Sequence, residues 1–377
     1  MLIDSTLREG AQAYGVSFSL QDCLRILEML APTGVGEIEI GWAGKQDVPA
    51  LLQQAQKLPL LPPLSLWCRM KAEDLLWAAR LGISRVTIGI PASSRHSSAR
   101  LGRRPEAVLE SVGSIIQVGR DLGLELICIG LEDASRAELK QLISLTRTAA
   151  AAGADRIRIA DTVGLLTPSR TTVLVSEVSN IFPGEVAVHC HNDLGMATAN
   201  AVSALESGAA WADVSTLGLG ERCGIARLEE VAAYLCLGQN LEKFQLPRIR
   251  ELCQEVAAMV GINIPGQKPV CGPDIFAAES GLHVQGLMQD PALFEPFSPE
   301  QIGVSQSERR LGWGEKSGRA AIRGALQRLQ PECAYDQEAV RQTAAWVREY
   351  ARKLGRPLCH EELAGLVRQR PPRPHSE

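Results

Sequence analysis

Long apolar runs, an excess of basic residues and paired-cysteine motifs are all missing from this 377-residue sequence. Its 39 Lys and Arg are outnumbered by 43 Asp and Glu, and the formal net charge of −4 argues against the basic surface of a nucleic-acid-binding protein. No apolar segment is long enough to cross a bilayer, so we expect no membrane partner. A strand pattern begins within the first residues, which leaves no room for a signal peptide, and a cytoplasmic protein is expected.

The ten cysteines are scattered along the chain and form no C-x-x-C pair. Several of them, such as Cys68, Cys128 and Cys236, lie inside apolar runs. We therefore expect reduced, buried thiols rather than a disulfide framework.

The sequence does contain a repeated order of apolar strand, polar loop and helix, and its 45% of hydrophobic residues can fill a large core. Eight such units within about 240 residues predict an α/β fold of the (β/α)8 or TIM barrel type. A doubly wound open sheet is the alternative, but it usually has fewer strands and a glycine fingerprint after the first. The predicted strands are residues 2–7, 37–41, 64–70, 85–91, 125–131, 156–160, 185–191 and 211–217.

Charged and polar residues collect where the predicted strands stop. In a barrel of this type the carboxyl ends of the strands surround the active site, so these residues are expected to meet at one mouth. In strand order they are Arg8 and Glu9; Glu39; Arg69; Ser93, Ser94 and His96; Glu132 and Asp133; Asp161 and Thr162; His189 and His191; and Glu221 and Arg222.

A histidine pair ends the seventh predicted strand. Because alternate side chains of a strand share a face, His189 and His191 point the same way, roughly two rises of 3.3 Å apart. Two imidazoles at that spacing can hold a divalent metal ion, and Glu9, one strand away in the closed barrel, is the best third ligand. The open alternatives are buried structural histidines or a non-haem iron site, although the latter usually occurs on all-β scaffolds. The ligand types admit Mg²⁺, Mn²⁺, Zn²⁺ or Fe²⁺.

The loop at residues 218–224 has the sequence G-L-G-E-R-C-G and precedes a predicted helix. Such a loop can bind an anion, for example a CoA phosphate or a substrate carboxylate. A tight turn with a salt bridge between Glu221 and Arg222 is the equal alternative.

These stretches carry a resemblance to a known family. Residues 4–12, D-S-T-L-R-E-G-A-Q, and residues 189–193, H-C-H-N-D, resemble the two signatures of the metal-dependent barrels that include isopropylmalate synthase, homocitrate synthase and hydroxymethylglutaryl-CoA lyase. Further stretches resemble the homocitrate synthases of nitrogen-fixing bacteria, and the resemblance extends to about residue 325. They are residues 67–70, 132–136, 160–165, 191–200, 218–222 and 279–284.

The resemblance implies a Claisen condensation of acetyl-CoA with 2-oxoglutarate that gives homocitrate and CoA. It assigns the metal to Glu9, His189 and His191. Arg8 would stabilise the enolate of acetyl-CoA, since a fixed positive charge favours the oxyanion that develops there. The implied catalytic residues are Arg8, Glu132 and His283, and the implied substrate-binding residues are Gln12, Glu39, Arg69 and Thr162.

The resemblance also implies a helical lid, containing His283, that reaches over the barrel of a partner subunit in a homodimer. The expected domains are a catalytic barrel over 1–240, a linker, lid and C-terminal helices over 241–367, and a disordered tail over 368–377.

Several positions depart from the family pattern, among them Ala11 and residues 314–318. Ala187 stands where a carboxylate is common, Ile225 where Asn is usual, and Phe294 where the lid usually has Tyr. These changes keep other hypotheses open. They are the same chemistry on another 2-oxo acid (2-oxoisovalerate, pyruvate or oxaloacetate), a related acyl-CoA lyase, and a catalytically silent barrel that acts as a binding protein.

Overall fold

A computed structural model describes residues 1–102 and 104–369. The chain divides into two compact units, one up to Asn263 and one from Ile264 onwards. Within the described residues no helix is long and apolar enough to cross a membrane.

The first unit is a closed barrel of parallel strands in chain order, in which the last strand pairs with the first. This confirms the barrel and excludes the open sheet. Most of its strands are buried on both faces, which explains why they read as almost continuous apolar runs. The strands are β1 (Leu2–Asp4), β2 (Glu37–Trp42), β3 (Leu64–Arg69), β4 (Arg85–Pro91), β5 (Leu126–Glu132), β6 (Arg156–Asp161), β7 (Glu185–Cys190) and β8 (Trp211–Val214).

Helices follow the strands and cover the barrel. The first begins at a capping box, in which the Ser19 hydroxyl accepts from the Asp22 amide and the Asp22 carboxylate accepts from the Ser19 amide. The helices are α1 (Leu20–Leu30), α2 (Val48–Ala55), α3 (Ala72–Arg80), α4 (Ser94–Leu101), α5 (Pro105–Asp121), α6 (Leu139–Ala151), α7 (Pro168–Ser179), α8 (Ala197–Glu206), α9 (Leu228–Ala233) and α10 (Leu246–Val260).

The strand β1 is shorter than predicted, because side-chain hydrogen bonds turn the chain at its end. Asp4 accepts from both the amide and the hydroxyl of Thr6, and the Ser5 carbonyl accepts from the amides of Arg8 and Glu9. Residues 5–10 therefore leave the strand as a compact buried turn. This turn carries Arg8 and Glu9 at the mouth of the barrel.

The predicted domain boundary after residue 240 differs from the observed one, because α10 follows that residue. This helix belongs to the first unit, where the apolar face with Ile249, Leu252 and Val256 is completely buried. The boundary therefore falls after Asn263. Residues 368 and 369 of the predicted tail end the last helix of the second unit, and residues 370–377 lie outside the described residues.

The second unit is a small helical domain with its own apolar core, which includes Val284, Ile322, Val340 and Val347. Its two short parallel strands are β9 (Ala277–Ala278) and β10 (Arg310–Leu311). Its helices are α11 (Gly281–Gln289), α12 (Arg319–Leu329), α13 (Gln337–Leu354) and α14 (His360–Gln369).

The cysteines agree with the expectation of reduced thiols. All ten lie in the described parts of the chain, where no disulfide is present, and most are buried.

Candidate active site

A cavity of about 350 Å³ opens at the carboxyl ends of the barrel strands. It collects residues from six of the eight strand ends and from the loops after β1 and β8, as the barrel predicts. The lining residues are Arg8, Glu9, Gln12, Trp42, Trp67, Thr87, Gly89, Gly130, Glu132, Arg158, Ala160, Thr162, His189, His191 and Glu221.

The structure brings the three predicted metal ligands together at one side of this cavity. The Nε2 atoms of His189 and His191 lie 3.3 Å apart. They are 3.7 and 3.8 Å from the carboxylate oxygens of Glu9. One ligand atom from each residue lies within 4.8 Å of the others, and all three side chains are buried. Three donor atoms thus converge on one point.

Asp213, on β8, orients the first histidine. The His189 Nδ1 atom lies 2.8 Å from the Asp213 carboxylate. Because a carboxylate only accepts, Nδ1 carries the proton and Nε2 keeps its lone pair towards the cavity. The pKa of His191 is lowered to about 3, first by burial and then by His189, so this imidazole is neutral. Neutral imidazoles are the form that binds metals.

Glu9 is ionised despite its burial. Burial alone would raise its pKa, but the charge of Arg8, with smaller contributions from His189, His191 and the Glu221 amide, outweighs it and lowers the pKa to about 2. Its Oε1 atom also accepts from the Glu221 amide at 3.3 Å. A carboxylate faced by the Nε2 atoms of two imidazoles, in a buried site, fits a divalent cation. The composition of this set does not select one metal.

Arg8 is held rigidly beside the ligand set. Its Nη1 atom donates to Glu9, and its Nε atom lies 2.5 Å from Glu39. Burial opposes the charge of Arg8, but the two carboxylates hold its pKa above the usual value. The guanidinium is therefore a fixed positive charge at the edge of the cavity.

Glu39 does not line the cavity, in contrast to its predicted role in substrate binding. Its side chain is completely buried and accepts from Arg8, Ser5 and Arg158. The two arginines, Arg158 first and then Arg8, hold the pKa of Glu39 far below its usual range, although burial opposes this. The geometry gives Glu39 the role of positioning two arginines.

Arg69 also lies outside the cavity. Its guanidinium and its backbone amide bind the buried carboxylate of Asp74 at the start of α3, with Nη2 and Nε at 2.7 and 2.9 Å. Its side chain is about half exposed. Arg69 is the last residue of its strand, as predicted. Its guanidinium nevertheless binds Asp74 and does not reach the cavity.

Gln12, Glu132 and Thr162 line the cavity, as expected of substrate-binding and catalytic residues. The Thr162 hydroxyl accepts from the Asp133 amide at 2.8 Å, so its hydrogen is available to an acceptor in the cavity.

Sequence reasoning missed Arg158 and Asp213, which line or support the site from β6 and β8. Both are charged residues inside apolar strands. That pattern was the available signal, because buried charges are rare unless they are paired or functional.

The glycine-rich loop after β8 forms the predicted tight turn but without the predicted salt bridge, and its role as an anion site stays a prediction. Arg222 binds Asp193 through Nε and Nη2 at 2.8 and 2.9 Å and also donates to the Thr162 carbonyl, so the predicted pair with Glu221 is wrong. Gly224 has a φ of +78°, and a Cβ there would collide with the carbonyl of Gly218. The loop therefore connects the carboxyl ends of β6, β7 and β8 through hydrogen bonds.

Two of the unusual residues are buried in the barrel. Ile225 pairs with His191 through an isolated antiparallel bridge and is 1% exposed. Ala187 lies beside Arg158 in the β6–β7 register. The backbone of Ile225 thus supports the second histidine.

His283 lies on α11 of the second unit, where it is exposed. The ring of Phe294, another unusual residue, lies 4.4 Å from the His283 ring and packs on Gly286, where a Cβ would collide with it. The catalytic role of His283 stays a prediction.

Comparisons with known proteins agree with this geometry. Residues 1–256 match the HMGL-like family model, and residues 270–354 match the homocitrate synthase post-HMGL domain-like model. The chain is 36% identical to homocitrate synthase 1 of Nostoc sp. over 98% of its own length and 97% of that protein. It is 34% identical to 2-isopropylmalate synthase 2 of Caldanaerobacter subterraneus subsp. tengcongensis, over 97% and 94% of the two chains.

Among solved structures, HMG-CoA lyase from Brucella melitensis superposes with a TM-score of 0.62 at 20% identity. The match covers 69% of this chain and 98% of the lyase. It supports the barrel fold.

Proposed function

Because this chain belongs to the HMGL-like family, we propose that it is a metal-dependent synthase that condenses acetyl-CoA with 2-oxoglutarate to give homocitrate and CoA. The observation that carries the proposal is the convergence of Glu9, His189 and His191 beside the fixed charge of Arg8. A barrel with no catalytic role has no need for three convergent buried ligands. This argues against the silent-barrel hypothesis.

The choice of acceptor rests on similarity. The homocitrate synthase relative and the match of the second unit to the post-HMGL model favour 2-oxoglutarate. The isopropylmalate synthase relative is almost as similar over almost the same length, so a branched 2-oxo acid is the second candidate. The condensation at the keto carbon is the same for both candidate acceptors.

A divalent metal ion held by Glu9, His189 and His191 would supply Lewis-acid polarisation of the acceptor carbonyl. Arg8 stands beside this set with its charge fixed by two carboxylates. As acetyl-CoA loses a methyl proton, negative charge develops on the thioester oxygen, and Arg8 stabilises that charge without reorganising. Thr162 and Gln12, both in the cavity wall, orient the carboxylate and neighbouring groups of the acceptor.

The proposed reaction has two stages, condensation and then hydrolysis of the thioester. The carbanion of acetyl-CoA attacks the keto carbon, a carbon–carbon bond forms, and the keto oxygen takes up a proton. Water then attacks the thioester carbonyl, the carbon–sulfur bond breaks, and CoA leaves as a thiol. We assign the proton transfers to Glu132, in the cavity wall, and to His283, an imidazole of the predicted lid of a partner subunit.

The proposal is tested by thiol release from acetyl-CoA, measured with Mg²⁺, Mn²⁺, Zn²⁺ or Fe²⁺ against a panel of 2-oxo acids. Release with 2-oxoglutarate should be fastest, and a chelator should abolish it. Glu9→Ala and His189→Ala should each lower the rate by at least about a hundredfold. Asp22→Ala, in the surface helix α1, is the matched control and should retain the rate. No release with any acceptor and any metal would contradict the proposal.

A further inference from the structure

Arg158 is a buried guanidinium in the wall of the cavity. It lies on β6, its side chain is 3% exposed, and it lines the same space as the histidine pair. Its neighbours in register are Gly130 on β5 and Ala187 on β7, which have almost no side chains. Neither neighbour has a side chain that could pair with the guanidinium.

Among the described residues, only one nitrogen of Arg158 has a partner. Nη1 donates to Glu39 at 2.8 Å and lies 3.2 Å from Asp213. Nε and Nη2 are buried and have no hydrogen-bond partner in the part of the chain that the structure describes. In native structures buried donors are almost always satisfied, so an unpartnered edge of this kind calls for an explanation.

Arg156, two residues earlier on the same strand, is a buried arginine whose hydrogen bonds are all made within the protein. It is completely buried as well, but its Nε and Nη2 atoms both donate to Glu185 and its Nη1 donates to Glu37. Every nitrogen of Arg156 is paired. Arg158 shares its strand and its burial but has one edge unused.

The unused edge has the shape of a carboxylate site. Nε and Nη2 form one side of the planar guanidinium, and this side binds a carboxylate through two parallel N–H···O bonds. Glu39, which contacts both Arg8 and Arg158, holds the group in place from the opposite side. A second anion that binds this edge displaces no existing hydrogen-bond partner.

The position along the barrel matches the far end of an acceptor. Ala160 is level with His189, whereas Arg158 is level with Ala187, two residues deeper. Two strand rises correspond to about 7 Å. The guanidinium itself reaches back towards the histidine pair, since Nη1 lies 3.2 Å from the Asp213 carboxylate that binds His189. An acceptor whose keto group lies at the histidine pair therefore needs only a short carbon chain to bring a second carboxylate to Arg158.

We propose that Arg158 determines acceptor specificity by binding the second carboxylate of a dicarboxylic 2-oxo acid through its Nε and Nη2 atoms. This inference rests on the proposed function and narrows it to acceptors with an anionic end. An acceptor that ends in a methyl group leaves the guanidinium edge unpaired in a buried site, which is how a polar pocket rejects an apolar analogue.

The test compares two acceptors of similar length, 2-oxoglutarate and 2-oxohexanoate, in the metal-loaded enzyme. For Arg158→Met we expect kcat/KM for 2-oxoglutarate to fall by about 10- to 150-fold, as for loss of hydrogen bonds to a charged group. The value for 2-oxohexanoate should change little. The ratio of the two values is the readout, because general damage to the barrel lowers both alike.

Two further variants keep the test decisive. Arg156→Met removes a buried arginine from the same strand and should leave the ratio unchanged. Arg158→Lys retains a positive charge beside Glu39, so it preserves the fold, but it cannot present the two-nitrogen edge and should lower the ratio by roughly tenfold. An unchanged ratio in both Arg158 variants would overturn the assignment.

Ligand binding separates this inference from the proposed function. We expect 2-oxoglutarate, with Mg²⁺ present, to raise the Tm of the wild-type protein, 2-oxohexanoate to raise it less, and Arg158→Met to abolish the difference. If no acceptor releases CoA but this binding pattern holds, the proposed function fails and the Arg158 assignment stands. If CoA is released but 2-oxoglutarate has no binding advantage in the wild type, the assignment fails and the condensation stands.

Discussion

At the scale of single residues, His189 depends on the carboxylate behind it. Asp213 accepts from the Nδ1 atom and so keeps the Nε2 lone pair on the cavity side. No part of this contact is visible in the sequence, where 24 residues separate the two positions. The histidine pair could be predicted because its spacing on a strand is local, whereas its orientation depends on a different strand.

Replacing Asp213 by Asn should weaken metal binding by about 10- to 100-fold, because the neutral amide no longer fixes the imidazole as strongly. Calorimetric titration of the chelator-treated protein with Mn²⁺ measures this. Asp161→Asn is the matched control. It alters a buried carboxylate on β6 that accepts from the amides of Leu165 and Leu166, so the Mn²⁺ affinity should stay near that of wild type. Equal losses in the two variants would contradict the role of Asp213.

Asp4 predicts a pH dependence of stability. Burial raises the pKa of this carboxyl from 3.8 to about 7, although its hydrogen bonds from Thr6 oppose the shift. The protonated form is thus favoured in the folded state, so its contribution is complete below pH 3.8 and is lost as the pH rises to about 7. Above that pH no further change is expected from this group.

The measurement is urea unfolding of wild type and Asp4→Asn between pH 4 and pH 8. The free energy of unfolding of wild type should decline relative to that of the variant by at most about 4 kcal/mol across this range. A constant difference between the two proteins would show that Asp4 keeps the same protonation state folded and unfolded.

At the scale of elements, the strands were predictable and their ends were less so. β4 matches its prediction at both ends because an apolar run bounded by polar residues is a local signal. β1 ends three residues early because Asp4 and Ser5 accept hydrogen bonds from the residues that follow them and so form a turn. Hydrophobic periodicity does not show that such a turn replaces the end of a strand. Arg69 was misjudged for a related reason, since its partner Asp74 lies on the next helix.

Helix α1 offers a test of a local stabilising element. Ser19→Ala removes the capping box, and the free energy of unfolding should fall by about 1 kcal/mol. Urea unfolding measures the change. Ser144→Ala in α6 is the same substitution inside a helix, where its hydroxyl only donates to the Lys140 carbonyl, and it should not destabilise because Ala favours helix. Similar losses in both variants would argue against the cap.

At the scale of the whole molecule, the resemblance predicts that His283 of one subunit serves the barrel of another. The variants Glu9→Ala and His283→Ala should each be inactive alone. After unfolding and refolding together they should recover up to roughly a quarter of the wild-type activity, since half of all dimers are then mixed and each mixed dimer contains one intact site of two. Thiol release measures the recovery.

The control for subunit mixing is Glu9→Ala refolded with His189→Ala. Both changes lie in the same barrel, so no combination of subunits restores a site, and no recovery is expected. Absence of recovery with His283→Ala as well would indicate that this histidine acts within its own chain or has no catalytic role.

The central claim is that this molecule makes a carbon–carbon bond between acetyl-CoA and a 2-oxo acid. The direct measurement is a carbon-13 NMR spectrum of the reaction of methyl-labelled acetyl-CoA with 2-oxoglutarate and Mg²⁺ or Mn²⁺. We expect a labelled methylene carbon in homocitrate, formed in equal amount with free CoA thiol. Labelled acetate as the sole product, or labelled acetyl-CoA that remains unchanged with every 2-oxo acid and metal, would contradict it.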